Sequence, residues 1–262
     1  MPRTVKLVMT NTLSRSIELA GVFNFRDLGG YETAEGRTVQ WRRIFRADGL
    51  GWLTEEDLDV LRPLGLRTVV DLRTAREVDL RGRFPFESYP VAFHHLSVLD
   101  TTWDRDAARR ENLPATEFLH RAYHQMLVDG GPRFAAAFDV LAAPDALPAV
   151  FHCAAGKDRT GLLAALLLGA LGVRRDDIVA DYELTQQTME RIVERAAAED
   201  PAMAASMDSV PTSFFSADPR AMSGVLSDLE DEHGSVRGFV RTIGVPDEVL
   251  TRLDDLLLTD DR

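Results

Sequence analysis

LPAVFHCAAGKDRTG, residues 147–161, runs directly into the apolar stretch LLAALLLGAL, residues 162–171. The start of the first stretch is a short apolar run after a Pro144-Asp145 turn, which reads as a buried strand ending at Cys153. The leucines and alanines after Gly161 read as a buried helix. A strand feeding a short loop that opens at once into a helix aims unpaired backbone N–H groups, and the positive end of the helix dipole, at one point. That point is an anion site. A thiol placed there is drawn toward thiolate, which makes Cys153 a candidate nucleophile. Arg159 follows six residues later, where the loop can curl it back so that its planar fork grips two oxygens of a tetrahedral anion. The target implied by the pair is a phosphate ester. The duller alternative, a small buried thiol at a strand end, leaves Gly156, Lys157 and Arg159 at the foot of an apolar helix unexplained.

Working upstream, LRTVVDL at 66–72 is a second β-branched run bounded by turn residues and reads as another buried strand. Thr54 to Asp57 and Thr74 to Glu77 each form a capping-box signature, predicting helices that end near Pro63-Gly65 and Gly82-Pro85. NFRDLGGYETAEG, from residue 24, reads as strand and loop, and residues 90–99 as extended. Residues 104–143 carry apolar positions at helical spacing, and Gly130-Gly131-Pro132 predicts two helices there rather than one. Downstream, a long amphipathic helix is expected from Asp176 to about Glu199, another from Asp218-Pro219 to near Gly234, and a last one from Pro246 to Leu258. Strands alternating with helices and then helices alone predict one α/β domain over 1–262: a central, largely parallel sheet flanked by helices, with a helical C-terminal portion at 199–262. Residues 1–20 are polar and unpatterned, and are expected to be flexible.

Composition narrows the chemistry. The 262 residues carry 42 acidic and 30 basic side chains, a formal charge of −12, which argues against a nucleic-acid partner because a polyanion needs a broad basic face. Any phosphate chemistry must therefore be local. Cys153 is the single cysteine, so an intramolecular disulfide and a multi-thiolate metal site are excluded. The most apolar stretch, residues 161–173, is shorter than the roughly 20 residues needed to span a bilayer. No apolar core of signal-peptide length opens the chain, so a cytoplasmic location without membrane insertion is expected. Oligomeric state is not legible.

HCAAGKDRTG resembles the CX5R phosphate-binding loop of the cysteine-dependent protein tyrosine and dual-specificity phosphatases, in the branch represented by mycobacterial tyrosine phosphatase B. NFRDLGGY at 24–31, VVDLRTAREV at 69–78, IVADYELTQQT at 178–188 and HGSVRGFVRTIGV at 233–245 look like further recurrent segments of that branch. The resemblance implies that Cys153 attacks phosphorus to give a phosphocysteine, that Arg159 and the amides of Ala154, Ala155, Gly156, Lys157 and Asp158 hold the phosphoryl oxygens, and that neither metal nor cofactor takes part. It implies that His152 orders the loop and favours the thiolate, and that Thr160 donates to the departing thiolate. It also implies that Asn24, Arg26 and Asp27 pack beside the loop, with Asp27 positioning Arg26 or a loop residue. For the general acid the sequence leaves two candidates, Asp100 after the extended segment and Asp158 inside the loop; Asp71 and Asp104 are weaker ones.

Lys157 adds a cation suited to a highly charged headgroup, so the expected substrates are phosphotyrosine, phosphoserine or phosphothreonine in proteins, or phosphoinositides. SVPTSFFSADPRAM, 209–222, reads as a lid over the pocket or as a loop anchored to the core by its phenylalanines. Three other functions fit parts of the pattern. A rhodanese-like sulfurtransferase also places a reactive cysteine in a strand–loop–helix, a noncatalytic module also binds phosphate, and a Cys/His hydrolase would draw its base from His94, His95, His120 or His124.

Overall fold

In the computed structural model, residues 14–99, 113–199 and 215–260 are described. Along the chain these form β1 (Arg26–Asp27), β2 (Thr38–Val39), β3 (Ile44–Ala47), α1 (Glu55–Leu61), β4 (Thr68–Asp71), α2 (Ala75–Arg81) and β5 (Ala92–His95). There follow α3 (Ala115–Ala142), β6 (Ala149–His152), α4 (Asp158–Ala170), α5 (Arg175–Glu183) and α6 (Gln186–Glu199). The chain closes with α7 (Pro219–His233), α8 (Val236–Thr242), α9 (Asp247–Leu257) and β7 (Leu258–Thr259).

The main sheet has the order β1-β3-β6-β4-β5, with β1 antiparallel to β3 and every other pair parallel. β6, the strand of the quoted stretch, lies in the middle. Its register sets His152 against Ala47 on one side and Asp71 on the other. All four residues of β3, β4 and β6 are buried, as expected for a parallel sheet covered on both faces. Alternation sorts them: Ile44, Val70 and Phe151 enter the larger core with α3, α4 and α7, whereas Phe45, Val69 and Val150 face a smaller core with Leu58 and Leu61 of α1. Among the described residues no helix is long and apolar enough to cross a membrane.

Both capping boxes form. Thr54 Oγ1 accepts from the Asp57 amide and Thr74 Oγ1 from the Glu77 amide, while each acid's carboxylate accepts from the cap residue's own N–H. Two helix expectations are corrected. Gly130-Gly131-Pro132 does not divide two helices, because α3 is one helix of 28 residues running through it. The two glycines serve close packing: a Cβ on Gly130 would lie 2.6 Å from Val98 Cγ1, and one on Gly131 3.2 Å from Ile243 Cγ2. The expected long helix over 176–199 is instead α5 and α6, broken at Leu184-Thr185, and the break delivers a fully buried Thr185 to the side chains of Asn24 and Arg26.

Candidate active site

The loop from Cys153 to Arg159 leaves the carboxyl end of the central strand, where parallel sheets place their ligands. The backbone carbonyls of its first half are all held from outside. Ala154 O accepts from the Gly49 amide at 3.1 Å, Ala155 O from Asn24 Nδ2 at 3.1 Å, and Gly156 O from Asn24 Nδ2 at 3.3 Å and Arg46 Nη2 at 2.7 Å. In a trans peptide the N–H points opposite to the C=O. Tying these three carbonyls outward therefore turns the amides of Ala155, Gly156 and Lys157 to the other side, which is the inside of the loop. Gly156 is required for this path: its φ is +66°, and a Cβ would lie 2.5 Å from the carbonyl oxygen of Ala47.

Cys153 is buried, and so is Thr160, whose Oγ1 has no hydrogen-bond partner among the described residues. Arg159 closes the loop. Its Nη1 and Nη2 donate to Glu77 Oε2 and Oε1 at 2.6 and 2.8 Å, while its buried Nε has no partner among the described residues. Burial works against both charges, but the paired guanidinium and the Thr74 donors hold the Glu77 carboxyl at about 2, and Glu77 in turn raises Arg159 further above its ordinary range. Glu77 thus has two tasks, since the carboxylate that completes the α2 capping box also fixes the loop's arginine.

His152 is fully buried. Desolvation, reinforced by the charges of Arg73 and Arg159, outweighs the pull of Asp71 and lowers its imidazole to about 4. It is neutral at neutral pH, with Nδ1 3.2 Å from the Cys153 carbonyl, so it orders the loop through a hydrogen bond rather than by positive charge.

Asp158 occupies the first turn of α4, with Tyr123 Oη donating to its Oδ1 at 2.6 Å and Tyr182 Oη 2.6 Å from Tyr123 Oη. Burial and the neighbouring Asp158 charge push the Tyr123 phenol well above 10, so it stays a donor. Lys157 is 1% exposed rather than solvated; its Nζ donates to the Ser216 carbonyl at 3.1 Å and lies 3.4 Å from Asp158 Oδ1. Asp71 is fully buried and its carboxylate is gripped by Arg73. Asp100 and Asp104 lie outside the described residues, as do residues 209–214 of the lid segment. The rest of that segment is docked: Ala217 N donates to Gln186 Oε1 at 2.8 Å, and Asp218 caps α7 while accepting from Thr116 Oγ1 at 2.5 Å.

Asn24 and Arg26 stand beside the loop, Asn24 bonded to it directly and Arg26 donating to Asn24 Oδ1. Asp27 does not position either. Its carboxylate accepts from the amides of Gly29 and Arg42, both at 2.8 Å, and so braces the turn between β1 and β3. The acid that holds Arg26 is Asp181 of α5, at 3.0 Å from Nε; it also receives Arg46 Nη1 at 2.5 Å and Tyr31 Oη at 3.1 Å. Two guanidinium groups keep this fully buried carboxyl well below the ordinary range despite its burial. Desolvation and the neighbouring Arg26 charge lower Arg46 to about 10. Sequence reasoning missed Arg46, Asp181 and Glu77 as site residues, although Asp181 and Glu77 both fall within recurrent segments quoted above. Of the histidines considered as a base, His120 and His124 face Asp228, and His95 Nε2 lies 2.8 Å from the Arg73 carbonyl. Among the described residues none is hydrogen-bonded to Cys153.

The sequence model described as tyrosine phosphatase family matches residues 17–259. The chain is 30% identical to the triple specificity protein phosphatase PtpB of Mycobacterium tuberculosis, over 92% of this chain and 98% of that protein. It is 34% identical to a putative tyrosine-protein phosphatase of Cupriavidus necator, over 84% of this chain and 81% of the other. Among solved structures, the catalytic core of the PP-IP phosphatase Siw14 of Saccharomyces cerevisiae matches 70% of this chain and 95% of its own, at 16% identity and a TM-score of 0.36. The chain belongs to the tyrosine phosphatase family.

Proposed function

We propose that this protein hydrolyses phosphate monoesters through a phosphocysteine intermediate on Cys153. The observation that carries the reading is the loop itself: three carbonyls bound from outside, amides turned inward, and a buried arginine with an unmet Nε beside a nucleophilic side chain. Such a cradle is complementary to the equatorial oxygens of a phosphoryl group in transfer.

In the first step the Cys153 thiolate forms a bond to phosphorus as the ester oxygen leaves, and that oxygen takes the proton of the Asp158 carboxyl. Asp158 suits this role because it sits at the loop, with 23% of its side chain exposed and one oxygen oriented by Tyr123. In the second step water attacks phosphorus, gives its proton to the Asp158 carboxylate, and the S–P bond breaks to release inorganic phosphate. Thr160 Oγ1, buried and unpartnered, donates to the departing thiolate. Arg159 and the amides balance the phosphoryl charge throughout, so no step calls for a metal.

Substrate class is the finer part of the proposal. Phosphotyrosine esters follow from the family, and the triple specificity named for the mycobacterial relative favours a range wider than one ester class; phosphoserine, phosphothreonine and phosphoinositides are the further classes proposed for this chain. Lys157 supplies a second cation in the loop, and contact with a substrate would require its bond to the Ser216 carbonyl to open. The family match supports phosphate-ester hydrolysis over the sulfurtransferase alternative. The presence of Cys153, Arg159 and Thr160 together disfavours a binding module. A phosphate-release panel of phosphotyrosine peptides, phosphothreonine peptides and phosphoinositides tests the reading: turnover of at least one class by wild type and none by Cys153→Ser is expected. Equal, background release by both proteins on every class would refute it.

A further inference from the structure

Away from the loop, the long helix α3 and the helix α7 that packs against it bring together three ligating side chains that phosphate chemistry does not use. His120 and His124 are one turn apart on α3, an i, i+4 pair on one face, and Asp228 of α7 lies opposite. Both Nε2 atoms are 2.8 Å from the same oxygen, Asp228 Oδ2, and the ligating atoms of all three residues fall within 4.8 Å of one another. The imidazole rings stand edge to face with centroids 4.9 Å apart, and both Nε2 atoms lie beside the same carboxylate oxygen.

Two details point past an ordinary hydrogen-bonded contact. His120 Nε2 is buried and, despite its distance from Asp228, makes no hydrogen bond of acceptable geometry among the described residues. A nitrogen that lies beside a carboxylate oxygen but points past it leaves room for an ion between the two. The second detail is Gly224, inside α7 one turn before Asp228: a Cβ there would lie 2.8 Å from His120 Cδ2 and 3.0 Å from Nε2. Glycine within a helix is less stable than alanine, and here its missing side chain is what admits the His120 ring.

We propose that His120, His124 and Asp228 form a binding site for one divalent transition-metal ion of the zinc class, separate from the Cys153 loop. Two imidazole nitrogens and a carboxylate oxygen are a borderline donor set that favours Zn²⁺, Co²⁺ or Ni²⁺ over Mg²⁺ or Ca²⁺. Metal bonds of about 2.0–2.2 Å in a tetrahedral arrangement separate neighbouring ligand atoms by roughly 3.3 Å. The present 2.8 Å separations need open only by a small rotation of half-buried side chains. The fourth position is left to water, the three side chains being 29–39% exposed. An ion there would pin α7 to α3 on the helix that begins just after Ser216, the residue that receives Lys157.

The test uses the full chain carrying Cys153→Ser, which removes the only thiol as a competing ligand, after treatment with a chelator. Zn²⁺ is titrated against a chromophoric chelator, and Co²⁺ is followed by its visible absorption. One Zn²⁺ per chain and a four-coordinate Co²⁺ spectrum are expected. Asp228→Asn should weaken Zn²⁺ binding at least tenfold, and the double change His120→Ala with His124→Ala should abolish both binding and spectrum. Zn²⁺ should raise the melting temperature of the parent and not of the double variant. Should that double variant melt early in chelator, Asp228→Asn, which preserves side-chain shape, decides the matter. Zinc binding by the parent that is absent, or that survives unchanged in Asp228→Asn and the double variant, would overturn the proposal. None of these readouts depends on phosphatase turnover.

Discussion

Replacing Glu77 by Gln removes one charge and leaves the side chain's shape, which isolates what the carboxylate does for Arg159. The magnitude can be worked from the ion pair. A carboxyl held at about 2 against an ordinary 4.5 stabilises the folded protein by about 3 kcal/mol at neutral pH. Independently, breaking a buried ion pair by removing one partner costs about 3–5 kcal/mol, and these side chains are only 9% and 12% exposed. Both estimates give roughly 3 kcal/mol, or a fall in melting temperature of about 6–12 °C for a chain of this size. The pH dependence has a definite sign. Because the folded-state value is depressed, this contribution is complete above pH 4.5 and is lost as pH falls toward 2. Wild type and Glu77→Gln should therefore differ fully at pH 7 and converge in acid. Arg159 should also lose its fixed orientation, and a misplacement of about 1 Å costs on the order of 100-fold in rate. Thermal melts from pH 7 downward, with kcat/KM on p-nitrophenyl phosphate at pH 7, measure both effects. A Glu77→Gln protein melting within 2 °C of wild type at pH 7, with its kcat/KM intact, would refute the reasoning.

Further outcomes follow from the same geometry. Asp158→Asn should lower kcat by about 10²–10⁴-fold on alkyl phosphates, which need a proton on the leaving oxygen, and much less on p-nitrophenyl phosphate; equal losses on both would argue against the acid role. Gly156→Ala should remove measurable activity, because the added Cβ meets the Ala47 carbonyl 2.5 Å away, and circular dichroism should show the sheet retained. Asp181→Asn leaves Arg26 and Arg46 short of their shared acid and should cost about 3–5 kcal/mol in urea unfolding; a midpoint unchanged from wild type would contradict that hub.

What the sequence disclosed was whatever is encoded locally. The strand–loop–helix at 147–171 and the two capping boxes, Thr54 to Asp57 and Thr74 to Glu77, depend on residues within a few positions of each other, and all appear as read. Tertiary packing overrode the local signal at Gly130-Gly131-Pro132, where glycines that usually end a helix instead admit Val98 and Ile243 against it. The helix break at Thr185 carries no glycine or proline to announce it; what Thr185 meets there is the distant polar cluster of Asn24 and Arg26. The same limit hid the braces of the site. Arg46 meets the loop across 110 residues and Asp181 across 135, and Glu77 meets Arg159 across 82, so no spacing rule links them. Asp27 shows the converse, a residue next to the right segment whose carboxylate turns to its own turn amides.

The phosphocysteine is the centre of the account, and trapping it is the most direct test. Wild type is mixed with p-nitrophenyl phosphate, quenched in acid within the first turnovers, digested and analysed by mass spectrometry. One phosphoryl group on the peptide that contains Cys153, absent from Cys153→Ser and from enzyme quenched before substrate, is the predicted result. Turnover by wild type with no phosphoryl group on that peptide, or turnover by Cys153→Ser at the wild-type rate, would contradict it.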